Sequence, residues 1–223
     1  MKFRHDQLMK LADRTYEPFF EEYHHHLKCL LSIFYEIGEP MEGNIFYLWD
    51  KSIDKGLDPN YLNKRRNLAL MAGCKKNVLE IGFNCGFSAL LLLTANPDLN
   101  YTAIDICAHK YTVPCFDYLK SQFGERIRLF QGNSLTTLPY VLHKESQYDA
   151  YIIDGGHGID VAEADLLTVI THAVRGSLIC FDDTQYPHLR LLVNSYMMDG
   201  KVAHISDQVG FIAGIDQMFL LRM

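Results

Sequence analysis

The sequence predicts an α/β fold: a seven-stranded sheet with helices on both faces, preceded by a helical N-terminal extension. Three observations predict it. From Lys76 onward, short apolar runs alternate with stretches of helical periodicity, which is typical of a parallel sheet covered by helices. A glycine-containing turn at residues 82–86 follows the first apolar run. Two further runs near the C-terminus, joined by a segment with Gly210 and Gly214, predict a closing hairpin.

The N-terminal extension is assigned to residues 1–57 and the α/β domain to residues 58–223. Apolar residues recur at three- and four-residue spacing up to residue 38, which predicts helix, and Pro18 marks the first turn of a new helix. Gly38, Pro40 and Gly43 then end the helical pattern. The extension carries the aromatic residues Tyr16, Phe19, Phe20, Phe46, Tyr47 and Trp49. They could either select a substrate or pack the core.

The α/β domain opens with a helix predicted over residues 58–72, with Asp58 as N-cap, Pro59 at its first position and Gly73 at its C-terminal end. The predicted strands are residues 77–81, 101–106, 127–131, 150–153, 178–181, 201–206 and 218–222. The helices predicted between them are residues 86–95, 112–123, 134–143, 160–173 and 187–198.

Composition narrows the class of protein. The 223 residues suffice for one substantial core, and the apolar runs are too short to span a bilayer. The net charge of −6 argues against a nucleic-acid partner. The basic run at residues 64–66 is expected to be the solvated face of a helix. Six cysteines without a C-x-x-C pair, and an N-terminus without an apolar signal segment, favour reduced thiols and a cytoplasmic location.

The first strand runs into the loop VLEIGFNCGFS, residues 78–88. Gly82 and Gly86 let the backbone turn sharply and approach a ligand closely. A dinucleotide-binding loop would read G-x-G-x-x-G, whereas this chain has Asn84 at the second glycine position. Glu80 would repel a pyrophosphate and suits a cationic ligand better. A tight strand-to-helix turn without any ligand is the alternative explanation.

The next two strand ends extend this pattern. Asp105 lies at the tip of the second predicted strand, about 20 residues beyond the glycine loop. An acidic side chain at this place can accept hydrogen bonds from both hydroxyls of a ribose. The third strand runs into the small polar loop QGNS at residues 131–134, which could contact an adenine edge. Each feature alone is more often a turn or a cap, but their order and spacing together favour a nucleoside-containing ligand.

Carboxylates also follow the fourth and fifth strands. Asp154 comes directly after one apolar run, and Asp182 and Asp183 after the next, so all three should meet at the carboxyl edge of the sheet. Crowded carboxylates repel one another unless a cation lies between them, and oxygen ligands favour Mg²⁺, Mn²⁺ or Ca²⁺. The alternative is that Asp154 caps a turn and Asp183 caps the following helix.

The loop at residues 79–88 resembles the first motif of class I S-adenosylmethionine-dependent methyltransferases, which have a Rossmann-like seven-stranded sheet. It is most similar to the catechol O-methyltransferase-like, cation-dependent branch, whose loop reads L-E-x-G-x-x-x-G-x-S. The resemblance covers residues 58–223 as an order of elements, and only three or four short motifs are specific. It implies that Glu80, Gly82 and Ser88 border the methionine part of the cofactor. Asp105 would bind the ribose, and Asn133 and Ser134 would lie beside the adenine.

The full set of cofactor-binding residues expected on this basis is Glu80, Gly82, Phe83, Asn84, Gly86, Ser88, Asp105, Ile106, Asn133, Ser134 and Asp154. In the related enzymes the positions matching Asp154, Asp182 and Asp183 bind the metal ion. These enzymes usually have Asn at the third position, although sugar and antibiotic O-methyltransferases that look similar can carry Asp-Asp. The departure leaves the substrate class open.

His157 follows Asp154 in a glycine-rich loop. The catechol-type enzymes have a lysine base at about this position. A histidine can accept a proton from a hydroxyl at neutral pH, so His157 is the predicted general base. A surface histidine without a catalytic role is the alternative.

The predicted function is therefore S-adenosylmethionine-dependent O-methylation of a small-molecule hydroxyl, with Mg²⁺ or a similar cation. A metal-independent N- or O-methyltransferase is the nearest alternative. An NAD-dependent oxidoreductase would share the fold and Asp105, but it would need a third glycine in the loop. A non-catalytic binding module would need no carboxylate trio. The expected partner is a small-molecule acceptor, without nucleic acid or membrane, and a homodimer is left open.

Overall fold

A computed structural model describes residues 17–53, 56–144, 148–205 and 216–223, with the side chains of the first helix described from residue 24 onward. The α-helices are α1 (Glu17–Ile37), α2 (Leu62–Cys74), α3 (Phe87–Ala95), α4 (Thr112–Phe123), α5 (Ser134–Lys144), α6 (Ile159–His172) and α7 (Pro187–Met198). The strands are β1 (Asn77–Ile81), β2 (Asn100–Asp105), β3 (Ile127–Gln131), β4 (Ala150–Ile153), β5 (Leu178–Asp182), β6 (Val202–His204) and β7 (Gln217–Arg222). Short 3₁₀ helices at Pro59–Tyr61 and Gly124–Arg126 precede α2 and β3.

The sheet has the order β3-β2-β1-β4-β5-β7-β6. β1, β4 and β5 are parallel, with Ile81 beside Ile153 and Ile153 beside Phe181. β7 is antiparallel to both β5 and β6. The predicted fold class and the closing hairpin are confirmed. The predicted connection through Gly210 and Gly214, and the end of the sixth strand at 206, lie outside the described residues.

Contacts divide the chain into two compact units, Met1–Cys74 with Phe83–Asn100 and Cys107–Arg128, and Lys75–Gly82 with Tyr101–Ile106 and Leu129–Met223. The second unit contains most of the sheet together with α5, α6 and α7. In its core, apolar residues of β1, β4 and β5 pack against the buried stripes of those helices, including Leu166, Val169 and Val193. The predicted boundary between residues 57 and 58 remains a prediction.

The first unit contains α1 to α4. Phe46 and Tyr47 are fully buried in it; both rings contact Phe87 edge-on, at 5.8 and 5.3 Å between centroids, and the Tyr47 hydroxyl donates to the Leu27 carbonyl. Burial raises the pKa of Tyr47 well above its usual value. Of the aromatics that could have served either purpose, these two pack the core, whereas Trp49 is almost fully exposed.

Two local predictions around α2 turned out differently. Asp58 caps the 3₁₀ turn by accepting from the Asn60 amide, as expected, but α2 continues through Cys74, so Gly73 does not lie beyond its end. In the basic run, Arg65 is buried and donates to the carbonyls of Ile45 and Asp58 at 2.6 and 2.8 Å. Its guanidinium serves as an internal tie for the 45–58 segment and is not on a solvated face.

None of the helices in the described residues combines the length and apolar character needed to cross a bilayer.

Candidate active site

Backbone hydrogen bonds join four strand ends at the carboxyl edge of the sheet. The Gly132 amide, after β3, donates to the Asp105 carbonyl at 2.8 Å, and the Gly82 amide, after β1, donates to the Ile104 carbonyl at 2.8 Å. The Asp154 amide, after β4, donates to the Ile81 carbonyl at 2.9 Å. Gly82, Asp105 and Asp154 therefore stand in one row, as the sequence predicted for strand ends that meet at one edge.

The glycine at position 82 is required by its backbone and by its neighbour. Its φ of +96° is unfavourable for residues with a side chain. A Cβ atom would also clash with the carbonyl oxygen of Asp154. The residue thus allows β1 and β4 to end in close contact, whether or not a ligand lies nearby.

Glu80 lies in the middle of this part of the sheet. It is fully buried on β1 and accepts a hydrogen bond from the Tyr101 hydroxyl of β2. Asp105, the last residue of β2, is half-buried, and Ile106 beyond it is 61% exposed. The acidic side chain at the β2 end is therefore accessible to a ligand, whereas Glu80 is held within the protein.

The loop after β3 is built around Asn133. Its side-chain oxygen accepts from the Leu135 amide at 3.0 Å, and its carbonyl accepts from the amides of Thr136 and Thr137. Asn133 is thus the N-cap of α5, and Ser134 is the first residue of that helix. Asn133 therefore has the capping role that was the alternative to contact with adenine. Because Asn133 is exposed, it could cap the helix and also contact a ligand.

The remaining loop residues, 83–88, belong to the first unit. The Phe83 ring is buried and meets Phe116 edge-on. Asn84 has a left-handed φ of 52° and donates from its side chain to the Glu42 carbonyl at 3.0 Å. Gly86 has φ +78°, and a Cβ there would lie 2.5 Å from the Phe83 ring. Ser88 is half-buried in the first turn of α3. The Phe83 ring thus packs inside the first unit, and its expected contact with the cofactor remains a prediction.

Asp154, His157 and Asp183 converge beyond β4 and β5. One potential metal-ligand atom from each residue lies within 4.8 Å of those of the other two. Among the described residues, these three form the group of His, Cys, Asp or Glu side chains that could hold a metal ion. His157 Nε2 lies 2.6 Å from Asp183 Oδ2, with side chains 50% and 19% exposed. Asp182 is not a member of this group. It is buried at the end of β5, and its Oδ1 accepts from the Asp183 amide at 3.0 Å.

Asp183 does not cap the following helix. The N-cap of α7 is Tyr186, and the Asp183 carboxylate instead contacts His157 and accepts from the Gln185 side chain at 2.8 Å. Its φ of 58° lies in the left-handed region, which Asp tolerates better than most residues. Similarly, α6 has Gly158 as its N-cap, so neither carboxylate of the group caps the helix that follows it.

The sequence reasoning missed two features of this site. His188, on α7, has its Nε2 3.0 Å from the His157 carbonyl oxygen, and no pattern in the sequence marks it. Asp165, on α6, is buried with its carboxylate facing Gly155, and neither carboxyl oxygen has a hydrogen-bond partner in the described part of the chain. Burial raises its pKa to about 6, while the Ser134 hydroxyl opposes this more weakly. An acidic residue in the apolar stripe of a helix was the available signal.

Comparison with known proteins agrees with this arrangement. Residues 79–184 match a family model described as a methyltransferase domain. A curated relative, the tRNA1(Val) (adenine(37)-N6)-methyltransferase of Flavobacteriaceae bacterium (strain 3519-10), is 40% identical over 53 residues, 24% of this chain and 23% of the relative. The chain thus matches about a quarter of that relative's length.

Solved structures resemble the whole fold. The O-methyltransferase of Bacillus cereus in complex with SAH has a TM-score of 0.60 at 14% identity, covering 89% of this chain and 90% of that one. MycE methyltransferase of the mycinamycin biosynthetic pathway, in complex with Mg, SAH and mycinamycin VI, has a TM-score of 0.51 at 19% identity, covering 86% and 54%. At these identities the likeness concerns the fold.

The sheet order and the matched segment agree with one another. Residues 79–184 are similar to a methyltransferase domain, and the seven-stranded sheet has the fold of the solved methyltransferase structures. The fold implied by the resemblance in the sequence is thereby confirmed.

Proposed function

We propose that this protein transfers a methyl group from S-adenosylmethionine to a hydroxyl oxygen of a small molecule, with a divalent cation at Asp154, Asp182 and Asp183 and with His157 as general base. The observation that carries the proposal is the convergence of Asp154, His157 and Asp183 beside the predicted cofactor edge. An accessible imidazole paired with a carboxylate is the arrangement that proton abstraction from a hydroxyl requires.

The pairing of His157 with Asp183 suggests how the base works. An ionised carboxylate only accepts hydrogen bonds, so at 2.6 Å the ring proton resides on Nε2. The other nitrogen, Nδ1, then carries the lone pair that accepts the proton of the acceptor hydroxyl. Asp183 would fix the ring's orientation and stabilise the imidazolium that forms, as a carboxylate does in other His–Asp pairs.

The donor set suits a hard divalent cation. Carboxylate oxygens are the preferred ligands of Mg²⁺, Mn²⁺ and Ca²⁺, and two of the three predicted carboxylates already lie in one group. When bound, such an ion supplies a positive charge that holds the acceptor oxygens and makes a hydroxyl easier to deprotonate. Asp182 would join the other two through the carboxylate that now accepts the Asp183 amide.

The cofactor would occupy the edge marked by Gly82, Asp105 and Asp154. The other residues expected to contact it are Glu80, Phe83, Asn84, Gly86, Ser88, Ile106, Asn133 and Ser134. S-adenosylmethionine supplies an electrophilic methyl group on a sulfonium. The residues of this edge would hold that methyl group in line with the acceptor oxygen, so that an O–C bond would replace the S–C bond. His157 would take the proton that the hydroxyl loses. The protein's contribution is chiefly orientation and proton removal.

The further expectations belong to the same proposal. A small-molecule acceptor fits the net charge of −6 better than a nucleic acid does, and the MycE structure contains mycinamycin VI. Residues 1–57 would form a cap over the acceptor, in a cytoplasmic enzyme. Transfer to nitrogen without a metal is the second candidate, because the curated relative is named as an N6-methyltransferase.

The test follows tritium from the labelled methyl group of S-adenosylmethionine into a panel of hydroxylated small molecules, with and without EDTA. His157→Ala should lower turnover by about 10²–10⁴, the usual contribution of a positioned base. His172→Ala, at an exposed histidine whose ring bonds a carbonyl within its own helix, is the control. Transfer unaffected by EDTA would favour the metal-independent candidate. Binding of NADH without SAH would end the methyltransferase proposal, and full activity of His157→Ala at pH 8 would remove His157 from the mechanism.

A further inference from the structure

The loop that carries His157 is rich in glycine. Glycines stand at positions 155, 156 and 158, and a Cβ at Gly158 would meet nothing within 4 Å. Glycine has the greatest backbone freedom in the unfolded and loop states. A residue flanked in this way keeps a fixed position only if other elements hold it.

The segment from the end of β5 into the first turn of α7 holds His157 through its main chain. The His188 ring reaches from the first turn of α7 to the His157 carbonyl oxygen, with 3.0 Å between Nε2 and the oxygen. A carbonyl oxygen can only accept, so His188 Nε2 donates, which fixes the protonated nitrogen of that ring. This contact acts on the backbone of His157 and leaves its imidazole to the other partner.

The same segment also holds the side chain of His157. Asp183 pairs with its Nε2, and the Tyr186 ring lies between the two histidines, 5.4 Å from the ring centroid of His157 and 6.0 Å from that of His188. His157 is therefore held at its carbonyl and at its ring by residues within six positions of each other. Both the backbone and the ring of His157 are therefore fixed relative to the N-terminus of α7.

We propose that His188 is a positioning residue, which fixes the backbone of His157 so that its ring meets Asp183 and presents Nδ1 to the acceptor. The inference rests on the proposed function, because the position of the His157 ring matters only if it is the base. A displacement of a reacting group by about 1 Å costs on the order of 10²-fold in rate. An exposed side chain at the start of α7 can thus influence catalysis without touching the substrate.

The test compares His188→Gln, which keeps an N–H donor, with His188→Met, which has similar length and no donor. His172→Met is the matched control, since that ring also bonds a backbone carbonyl but within the last turn of α6. Two readouts need no acceptor: ¹⁵N spectroscopy of the His157 ring, which reports the Nε2–H tautomer, and amide exchange at Gly156 and Gly158. Calorimetry with SAH is run on every variant.

In the native protein the neutral His157 ring should be chiefly the Nε2–H tautomer. His188→Met should mix the tautomers and speed amide exchange by about tenfold, the factor that corresponds to one net hydrogen bond. His188→Gln should restore both, and His172→Met should change neither. Identical behaviour of the Met and Gln variants, or an unchanged tautomer in His188→Met, would overturn the positioning role. A native protein that binds no SAH would instead overturn the proposed function, whatever the loop does.

Discussion

Asp165→Asn tests whether the buried carboxyl of α6 destabilises the protein. Asp165 is 1% exposed and its oxygens have no partner in hydrogen-bonding geometry among the described residues. Its ionised form therefore loses hydration, and the nearby Ser134 hydroxyl compensates only weakly. Its pKa rises from 3.8 to about 6 for this reason. The folded state therefore holds the proton more tightly than the unfolded chain, and stability falls as pH rises between these two values.

The magnitude follows from the shift. At 1.36 kcal/mol per pH unit, the ionisation penalty grows from about 0.5 kcal/mol at pH 4 to about 1.6 at pH 5 and about 3 at pH 8. Asn is nearly isosteric with the neutral carboxyl and cannot ionise. The free energy of unfolding of Asp165→Asn, minus that of the native protein, should therefore increase by about 2.5 kcal/mol between pH 4 and pH 8.

The assay is urea unfolding of both proteins over this pH range. The contributions of all other titratable groups cancel when the two free energies of unfolding are subtracted. Asp160→Asn is the control. This residue is exposed in the first turn of the same helix, where a carboxylate interacts favourably with the helix dipole. Asp160→Asn should therefore lower the free energy of unfolding by up to about 1 kcal/mol at pH 8. A pH-independent difference for Asp165→Asn would refute the reasoning, because it would show that the carboxylate has a partner or a water in the folded state.

Four further outcomes are expected. Asp105→Ala should weaken SAH binding by roughly 1–3 kcal/mol in calorimetry, the loss for buried polar partners left unpaired; an unchanged affinity would remove it from the ribose site. Asp154→Ala should abolish the rise in thermal stability that Mg²⁺ gives, since an ion that binds only the folded state stabilises it by mass action; if Mg²⁺ gives no rise in the native protein, the metal proposal fails. Gly82→Ala should lower the free energy of unfolding by roughly 2–4 kcal/mol because the methyl group meets the Asp154 carbonyl, and a native-like urea midpoint would contradict this. The Glu39 pKa is lowered chiefly by its hydrogen bond from His109, so Glu39 contributes stability above pH 4.5 that is lost as pH falls below this value; acid unfolding of Glu39→Gln should lack this loss, and an identical acid transition would contradict it.

Most of the fold could be predicted because periodicity and strand-end residues encode it locally. β1, β3, β4, α4 and α7 have the predicted bounds, and most other described elements of the α/β domain differ by one or two residues. The exception is α2, which begins four residues after the predicted start at residue 58 because a 3₁₀ turn precedes it. The row of Gly82, Asp105 and Asp154 follows from the rule that parallel strands end at one edge. Such features depend on chain order, which the sequence displays directly.

The rest depends on tertiary contacts that leave little trace in the chain order. The sequence predicted Arg65 on a solvated helix face, because the chain order does not show that the carbonyls of Ile45 and Asp58 lie beside it. Asp183 was predicted as a metal ligand, with a helix cap as the alternative, and its pairing with His157 in the loop after β4 was not predicted. The tie from His188 to the His157 carbonyl spans 31 residues and involves a backbone atom, which carries no residue-specific signal at all.

The left-handed backbone at Asp183 restricts which residues can occupy that position. At φ 58°, Gly, Asn and Asp are the residues with little conformational penalty, and of these only Asn and Asp offer a side-chain oxygen to His157. The choice between them changes one unit of charge while the backbone stays the same. Asp183→Asn therefore removes one negative charge without changing the backbone. It keeps a hydrogen-bond acceptor for the imidazole and reduces the number of local carboxylates from three to two. The affinities of this variant for Mg²⁺ and Ca²⁺ would separate what charge contributes at this site from what geometry contributes.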